Sequence, residues 1–87
     1  MSDEPRITYP CDYPIKVVGD AHPEFHDAVR QVVERHDPTM TTERISQKMS
    51  RKGNFVSISF MLVAESEQQI NALFEELKEI EFVRMVL

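Results

Sequence analysis

The chain has 87 residues and a formal net charge of −5, and Cys11 is its only cysteine. This length suits one domain, which can bury roughly 60–65% of its unfolded surface in a single core. The acidic total argues against general nucleic-acid binding, because that binding depends on neutralising phosphates. A lone cysteine, no signal-peptide pattern and no apolar run near about 18 residues predict a cytoplasmic protein without a membrane span.

The charges are distributed unevenly along the chain. Residues 65–81 contain six glutamates against Lys78, whereas residues 41–52 contain four cations against Glu43. One interpretation is ordinary solvated surface charge. The alternatives are a basic hairpin that meets an acidic partner, or head-to-tail self-association through the two oppositely charged regions.

The N-terminal part of the chain shows no sustained periodicity. Residues 1–12 contain two prolines, and we predict a flexible N-terminal tail there, followed by a single domain over residues 13–87. Tyr13–Gly19 alternates with period two and predicts the first strand. Ile15 and Val17 should face the core, since successive strand residues point to opposite sides of a sheet.

A helical period follows over Pro23–His36. Proline is favourable in the first turn of a helix, and Asp37-Pro38 ends the pattern. The predicted buried stripe recurs at helical spacing. Its members are Phe25, Ala28, Val29, Val32 and His36.

Two further period-two runs predict a β-hairpin. Thr41–Ser50 is polar, as expected of an edge strand, and Phe55–Ala64 is the most apolar run, as expected of a central strand. Gly53 lies in the turn between them and is expected to have a positive φ.

A second helix and a last strand complete the pattern. Ser66 with Gln69 forms a capping-box pattern that begins a helix over Glu67–Glu79. Phe82–Leu87 predicts the last strand. The predicted inward residues are Val83, Met85 and Leu87, and the predicted outward residues are Arg84 and Val86.

The order strand, helix, strand, strand, helix, strand predicts an α+β, ferredoxin-like βαββαβ two-layer sandwich. Such a fold has a four-stranded antiparallel sheet with both helices on one face, which leaves the other face open. An open face that is half apolar suits a ligand, a partner or a second copy, but a solvated face with scattered apolar residues is equally consistent. The residues predicted there are Lys16, Val18, Arg44, Ser46, Phe55, Ser57, Ser59, Met61, Arg84 and Val86.

No pattern in the chain indicates catalysis or a cofactor. His22 and His26 have a spacing that can serve one metal ion, but no HExxH motif or cysteine cluster accompanies them, so surface histidines are the preferred interpretation and no metal is expected. Nucleophile and phosphate-loop motifs are missing as well. We therefore do not expect an enzyme.

The segment from Lys52 to Ile58 partly matches the RNA-recognition signature, with one position deleted. RNA-recognition sheets stack bases on exposed aromatic residues of both central strands. Here Phe55 is the only candidate, because the first strand offers Lys16 and Val18 instead. A hairpin turn explains the segment better, and nucleic acid is a disfavoured partner.

Three segments carry a family resemblance. Tyr13–Gly19, residues 52–57 and residues 83–87 resemble the YbeD family of small, largely uncharacterised bacterial proteins. The resemblance implies a ferredoxin-like domain similar to the ACT domains, which bind amino acids and regulate enzymes. In some bacteria the gene of this family lies beside a lipoate-transfer gene, which hints at lipoate metabolism.

The turn after the first strand can be compared with the ACT pattern, Gly-x-Asp-Arg-Pro-Gly. This chain has Gly19 and Pro23 in the expected places, but Glu24 replaces the last glycine. A side chain there crowds the space in which a ligand approaches the backbone. The residues that the resemblance implies for a ligand are Gly19, Asp20, His22 and Glu24.

Three functions follow as hypotheses. The first is a non-catalytic, ACT-like regulatory or adaptor domain that binds an unknown protein partner, or its own copy, through the open face or an edge strand. The second is a sensor of a small molecule, an amino acid or another carboxylate, at the strand-one to helix-one turn. The third is RNA binding through the basic hairpin. For the first, the expected contact residues are Lys16, Val18, Arg44, Phe55, Ser57, Ser59, Met61 and Arg84.

Overall fold

A computed structural model describes residues 8–87 of the chain. The elements follow the predicted order, with one short 3₁₀ turn added before the second strand. They are β1 (Cys11–Asp20), α1 (Phe25–His36), a 3₁₀ turn (Thr42–Arg44), β2 (Ile45–Met49), β3 (Phe55–Ala64), α2 (Glu67–Lys78) and β4 (Val83–Val86).

The four strands form one antiparallel sheet in the order β2-β3-β1-β4. The apolar strands β1 and β3 are central and β2 is an edge, as predicted. Both helices pack on the same face of the sheet, so the ferredoxin-like sandwich is confirmed. The buried side chains of that layer come mainly from β1, β3 and the two helices: Ile15, Val17, Phe25, Val29, Val32, Val33, Met40, Val56, Ile58, Phe60, Leu62, Ala64, Ile70, Leu73 and Leu77.

The first strand begins earlier than predicted. Cys11 and Asp12 lie in β1 and pair with Ala64 and Val63 of β3. The boundary of the predicted tail at residue 12 is therefore wrong, because the full length of β3 offers backbone partners to these residues. The part of the predicted tail before residue 8 lies outside the described residues.

The second strand is shorter than predicted. Residues 42–44 form a 3₁₀ turn, and β2 begins only at Ile45. The reason is the side chain of Arg44, which reaches across the end of β2 and donates to the carbonyl oxygen of Met61 on β3 at 2.7 Å. A side chain thus takes the place of a backbone partner at this carbonyl.

The predicted facing of β4 is correct at Val83 and wrong at Met85 and Val86. Val17 pairs with Val86 and Val18 pairs with Met85, but the register then shifts so that Gly19 pairs with Val83. This bulge at Arg84 reverses the alternation beyond it. Val86 consequently packs against the core, whereas Met85 joins the open face and is 52% exposed.

Side chains cap α2 and join the two helices. Ser66 caps α2 by accepting from the backbone N–H of Gln69, as predicted. Glu76 of α2 accepts from Arg35 at 2.7 Å and contacts His36 at 2.9 Å, which joins the two helices. Gly53 has a φ of 75°, which confirms the predicted turn. No helix in residues 8–87 is long and apolar enough to cross a membrane.

Candidate functional site

The open face of the sheet is the side away from the helices. Along β3 it presents Phe55, Ser57, Ser59 and Met61, so two small residues lie between two large ones. Phe55 is 46% exposed and Met61 is 39% exposed. The serines leave a depression in the middle of the sheet, which neighbouring long side chains can line.

An apolar groove lies at one end of the open face and has a volume of about 590 Å³. Its walls include Pro14, Met61 and Leu87, and Lys16 and Ser59 lie toward the middle of the sheet. Pro14 lies directly opposite Met61 in the β1–β3 register. Leu87 is held beside Lys16 by two backbone hydrogen bonds of 2.8 and 3.0 Å.

A basic trough continues from this groove toward the β2–β3 turn. It is lined by Lys16, Lys48, Met49, Ser50, Arg51 and Ser57. Lys48 lies directly opposite Ser57, and Lys16 lies opposite Ser59, so two lysines flank the two serines of β3. The predicted contact residues Lys16, Phe55, Ser57, Ser59 and Met61 thus share one surface, together with the half-buried Val18.

Two predicted contact residues have other roles. The Arg44 guanidinium donates to Asp37 at 3.1 Å and to the Met61 carbonyl, so this residue has a structural role, although it also lines the apolar groove. Arg84 does lie toward the open face, but its Nε and Nη2 donate to the two carboxylate oxygens of Asp20 at 3.0 Å. That hydrogen bonding, with the charge of Asp20, raises the pKa of Arg84.

The four residues predicted to bind a ligand do not form one site. Gly19 is buried on the core face, where the ring of Phe25 packs over it. Asp20 points to the opposite side of the sheet and pairs with Arg84. Glu24 is exposed at the N-cap of α1. The physical reason is strand alternation, which sends Gly19 and Asp20 to different faces.

His22 is the member of that set that lines a cleft. Its ring stacks on Phe82 with centroids 3.9 Å apart, and its Nδ1 accepts from the backbone N–H of Glu24 at 3.1 Å. That hydrogen bond orients the imidazole so that Nε2 carries the proton in the neutral form. The ring is thereby fixed at the mouth of the turn between β1 and α1.

The cleft beside His22 has a volume of about 330 Å³. It lies between the start of α1 and the edge strand β2. Phe25 and Val56 form its apolar floor, and the polar groups come from both sides. The lining residues are Ala21, His22, Pro23, Phe25, His26, Gln47, Met49 and Val56. Gln47 and Met49 were missed as site residues, although their alternation with Ile45 places them on the helix side.

A buried carboxylate, Asp37, organises the end of the sheet below the apolar groove. It is 3% exposed and accepts hydrogen bonds from the backbone N–H and hydroxyl of Thr39, from the N–H of Val63 and from Arg44. Burial by itself raises the pKa of Asp37, but these four donors outweigh it and hold the pKa below its usual value. The sequence pattern indicated only that Asp37 ends α1.

Within residues 8–87, no group of three or more His, Cys, Asp and Glu side chains is arranged to hold a metal ion. His36, the third histidine, contacts Glu76 between the helices. The candidate sites are therefore the open face and the cleft.

This arrangement of sheet, helices and open face defines a ferredoxin-like domain. The chain belongs to the family DUF493, described as "Protein of unknown function", whose model matches residues 4–87. A UPF0250 protein of Hahella chejuensis is 41% identical over 87 residues, covering all of this chain and 96% of the relative. A UPF0250 protein of Pectobacterium atrosepticum is 46% identical over 81 residues, covering 93% and 91%. The YbeD resemblance is thereby confirmed, since YbeD belongs to UPF0250.

Two solved structures share the fold. The solution structure of protein HP0495 from H. pylori superposes with a TM-score of 0.74 at 19% identity, covering 99% of this chain and 90% of that one. The ACT domain of GTP pyrophosphokinase from Chlorobium tepidum gives a TM-score of 0.62 at 16% identity, covering 88% and 97%. At such identities the likeness defines the fold alone.

Proposed function

We propose that this protein is a non-catalytic regulatory or adaptor domain that acts by binding a partner protein through its open sheet face or an edge strand. The observation that carries the proposal is the cluster of exposed apolar side chains on that face. Met85, revealed there by the β4 bulge, is 52% exposed, and Leu87 is 60% exposed. Together with Phe55 and Met61 they supply the kind of surface on which interface anchors bind.

The fold supports a regulatory role by analogy, because one structure with a similar fold is the ACT domain of a GTP pyrophosphokinase. The apolar groove supports a protein rather than a small ligand. It is a wide depression on a sheet, whereas small-molecule sites are concave and enclose most of the ligand.

Placing a carboxylate on the open face is expected to weaken partner binding. Phe55→Asp and Met61→Asp each remove an apolar anchor and would bury a charge in the interface, so affinity should fall at least tenfold. The folding stability should change by less than about 0.5 kcal/mol, because both side chains are exposed. Quantitative affinity capture with N-terminally tagged protein, from cells that make it naturally, measures the loss.

Gln31→Asp and Ala72→Asp on the helix layer are the matched controls, since they add the same charge at exposed positions. A partner retained by these controls and lost by both open-face variants supports the proposal. Light scattering of the same variants tests whether the partner is a second copy. Capture and self-association that are identical in all four variants would refute the open face as the binding surface.

A second candidate, a small-molecule sensor, is favoured by the cleft at the start of α1. Two imidazoles and the amide of Gln47 surround an apolar floor there, which suits an amino acid or a similar carboxylate. In a thermal-shift screen, a ligand at about 100 times its Kd should stabilise the protein by about 2.7 kcal/mol, or roughly 10–20 °C.

The cleft variants His26→Ala and Gln47→Ala should remove that thermal shift, while Gln31→Ala on the exposed side of α1 should keep it. All three positions are partly or fully exposed, so the unliganded melting temperatures should stay close together. A flat screen across amino acids and other carboxylates, or a shift that survives both cleft variants, would count against the sensor.

A further inference from the structure

We propose that the open face binds an extended acidic segment of the partner, with an apolar side chain in the groove and carboxylates over the basic trough. The inference rests on the proposed function and adds the chemistry of the partner. Three features carry it: cations without ion-pair partners, a continuous path between groove and trough, and the failure of the other occupants to fit.

The trough gathers three cations, Lys16, Lys48 and Arg51, around one depression. Within residues 8–87, Lys16, Lys48 and Arg51 form no ion pair, although the chain has an excess of acidic residues. The arginines that do form ion pairs are Arg30, Arg35, Arg44 and Arg84. Gathering like charges around one depression costs energy unless an anion lies between them. The trough is therefore complementary to a ligand with several carboxylates.

The geometry favours an extended chain. Phe55 and Met61 are six residues apart on β3, so the face is about 20 Å long at 3.3 Å per residue. Lys16 lines both the apolar groove and the basic trough and so connects them. Ser57 and Ser59 leave room between the lysines for a peptide backbone. A segment of about six residues can therefore reach both ends at once.

A second copy of the chain is a poor occupant. Face-to-face pairing about a two-fold axis would bring Lys16 and Lys48 of both copies into one interface, where like charges repel. The acidic side of α2 could instead meet the trough of another copy. That contact is head-to-tail and does not close, so it would produce open-ended assembly.

Nucleic acid also fits poorly. Phe55 is the one aromatic side chain on the open face among residues 8–87, and single-stranded nucleic acid needs several stacking platforms. The apolar walls of the groove, Pro14, Met61 and Leu87, offer no hydrogen-bond donor to a phosphate. A peptide segment with both carboxylates and an apolar side chain matches the basic trough at one end of the face and the apolar groove at the other.

Fluorescence anisotropy with defined probes tests the inference. The acidic probe is a labelled peptide with two leucines at one end and three glutamates at the other, and its matched control has glutamines in place of the glutamates. At low salt we expect saturable binding of the acidic probe, at least tenfold weaker binding of the glutamine probe, and an affinity that falls as salt rises.

The variant Lys16→Gln with Lys48→Gln should weaken the acidic probe at least tenfold. Its matched control, Lys52→Gln with Lys78→Gln, removes the same charge from exposed positions outside the trough and should bind like the wild type. In heteronuclear NMR spectra the probe should shift the amides of Ser57 and Ser59 and leave those of α2 unchanged.

Several results would overturn the inference: no saturable binding of the acidic probe, equal binding of the glutamine probe, or equal losses in both lysine pairs. Tighter binding of a labelled single-stranded oligothymidylate would assign the trough to nucleic acid instead. The proposed function is judged separately. If the captured partner is lost with Met61→Asp but retained with Lys16→Gln and Lys48→Gln, the adaptor role stands and the acidic segment is wrong.

Discussion

Replacing Asp37 by asparagine is expected to destabilise the protein by about 3 kcal/mol. The amide keeps the volume but loses the charge, and its NH₂ group must face a donor, because every group around the carboxylate donates to it. For a domain of this size the loss corresponds to a fall in melting temperature of roughly 12–24 °C. Thermal and urea unfolding at neutral pH measure it.

The same variant should change the pH dependence of stability. The pKa of Asp37 is lower in the folded protein than in the unfolded chain, so the unfolded state binds the proton first as the pH falls. The stabilisation from Asp37 is thus present above about pH 4, the unfolded value, and is lost as the pH falls through the folded pKa. The asparagine variant should lack this acid-dependent component.

Asp27→Asn is the matched control, because Asp27 lies on the same helix with its side chain 82% exposed. It should change the free energy of unfolding by less than about 0.5 kcal/mol. If Asp37→Asn were equally mild, or if its stability fell with acid as steeply as that of the wild type, the carboxylate would not be holding this end of the sheet.

Gly19→Ala is the second substitution with a large expected effect, a loss of about 3 kcal/mol or more. A Cβ at this position would overlap the carbonyl oxygen of Phe82 and lie 2.7 Å from Cζ of Phe25. Neither neighbour can move easily, because that carbonyl accepts from the N–H of Asp20 and the ring is 1% exposed in the core. Overpacking against backbone is the costly form of a small-to-large change.

Gly53→Asn provides the contrast. Gly53 needs its positive φ, which asparagine tolerates, and the nearest atom to an added Cβ is the sulfur of Met49 at 3.7 Å. Its cost should be less than about 1 kcal/mol. A stable Gly19→Ala protein would show that β1, Phe25 and the Phe82 carbonyl are not packed as described. Substitution at Gly19 cannot serve as a test of ligand binding, because it alters the core.

Both large effects concern residues whose importance the sequence indicated only in part. An acidic residue at the C-terminal end of a helix opposes the helix dipole, and this is the one local sign that Asp37 has a further role. Its partners Val63 and Arg44 are distant in the chain, so their identity depends on the fold. Gly19 matches the turn pattern of a ligand site in the sequence. In the structure, its lack of a side chain instead allows Phe25 and the carbonyl of Phe82 to pack closely against it.

The sequence by itself determined the order of the elements, the sheet with β1 and β3 at its centre, and the core and open faces of β3. Period-two and helical spacing act over a few residues, and burial of one face selects a single register for each central strand. The expected open-face set Lys16, Phe55, Ser57, Ser59 and Met61 follows from this alternation, and the structure brings those residues together.

Tertiary structure alone decided the facing of β4, the contacts of Arg44 and the positions of the predicted ligand residues. The bulge in β4 places Val86 against the core and Met85 on the open face, the reverse of the prediction, because the register of a short edge strand depends on its partner strand. Arg44 is fixed at the edge of the apolar groove because its guanidinium donates to the buried carboxylate of Asp37 and to the carbonyl oxygen of Met61. The residues predicted to bind a ligand do not lie together for a related reason. Asp20 accepts a hydrogen bond from Arg84, 64 residues away, and the ring of His22 stacks on Phe82. Such contacts join distant segments, and local periodicity carries no information about them.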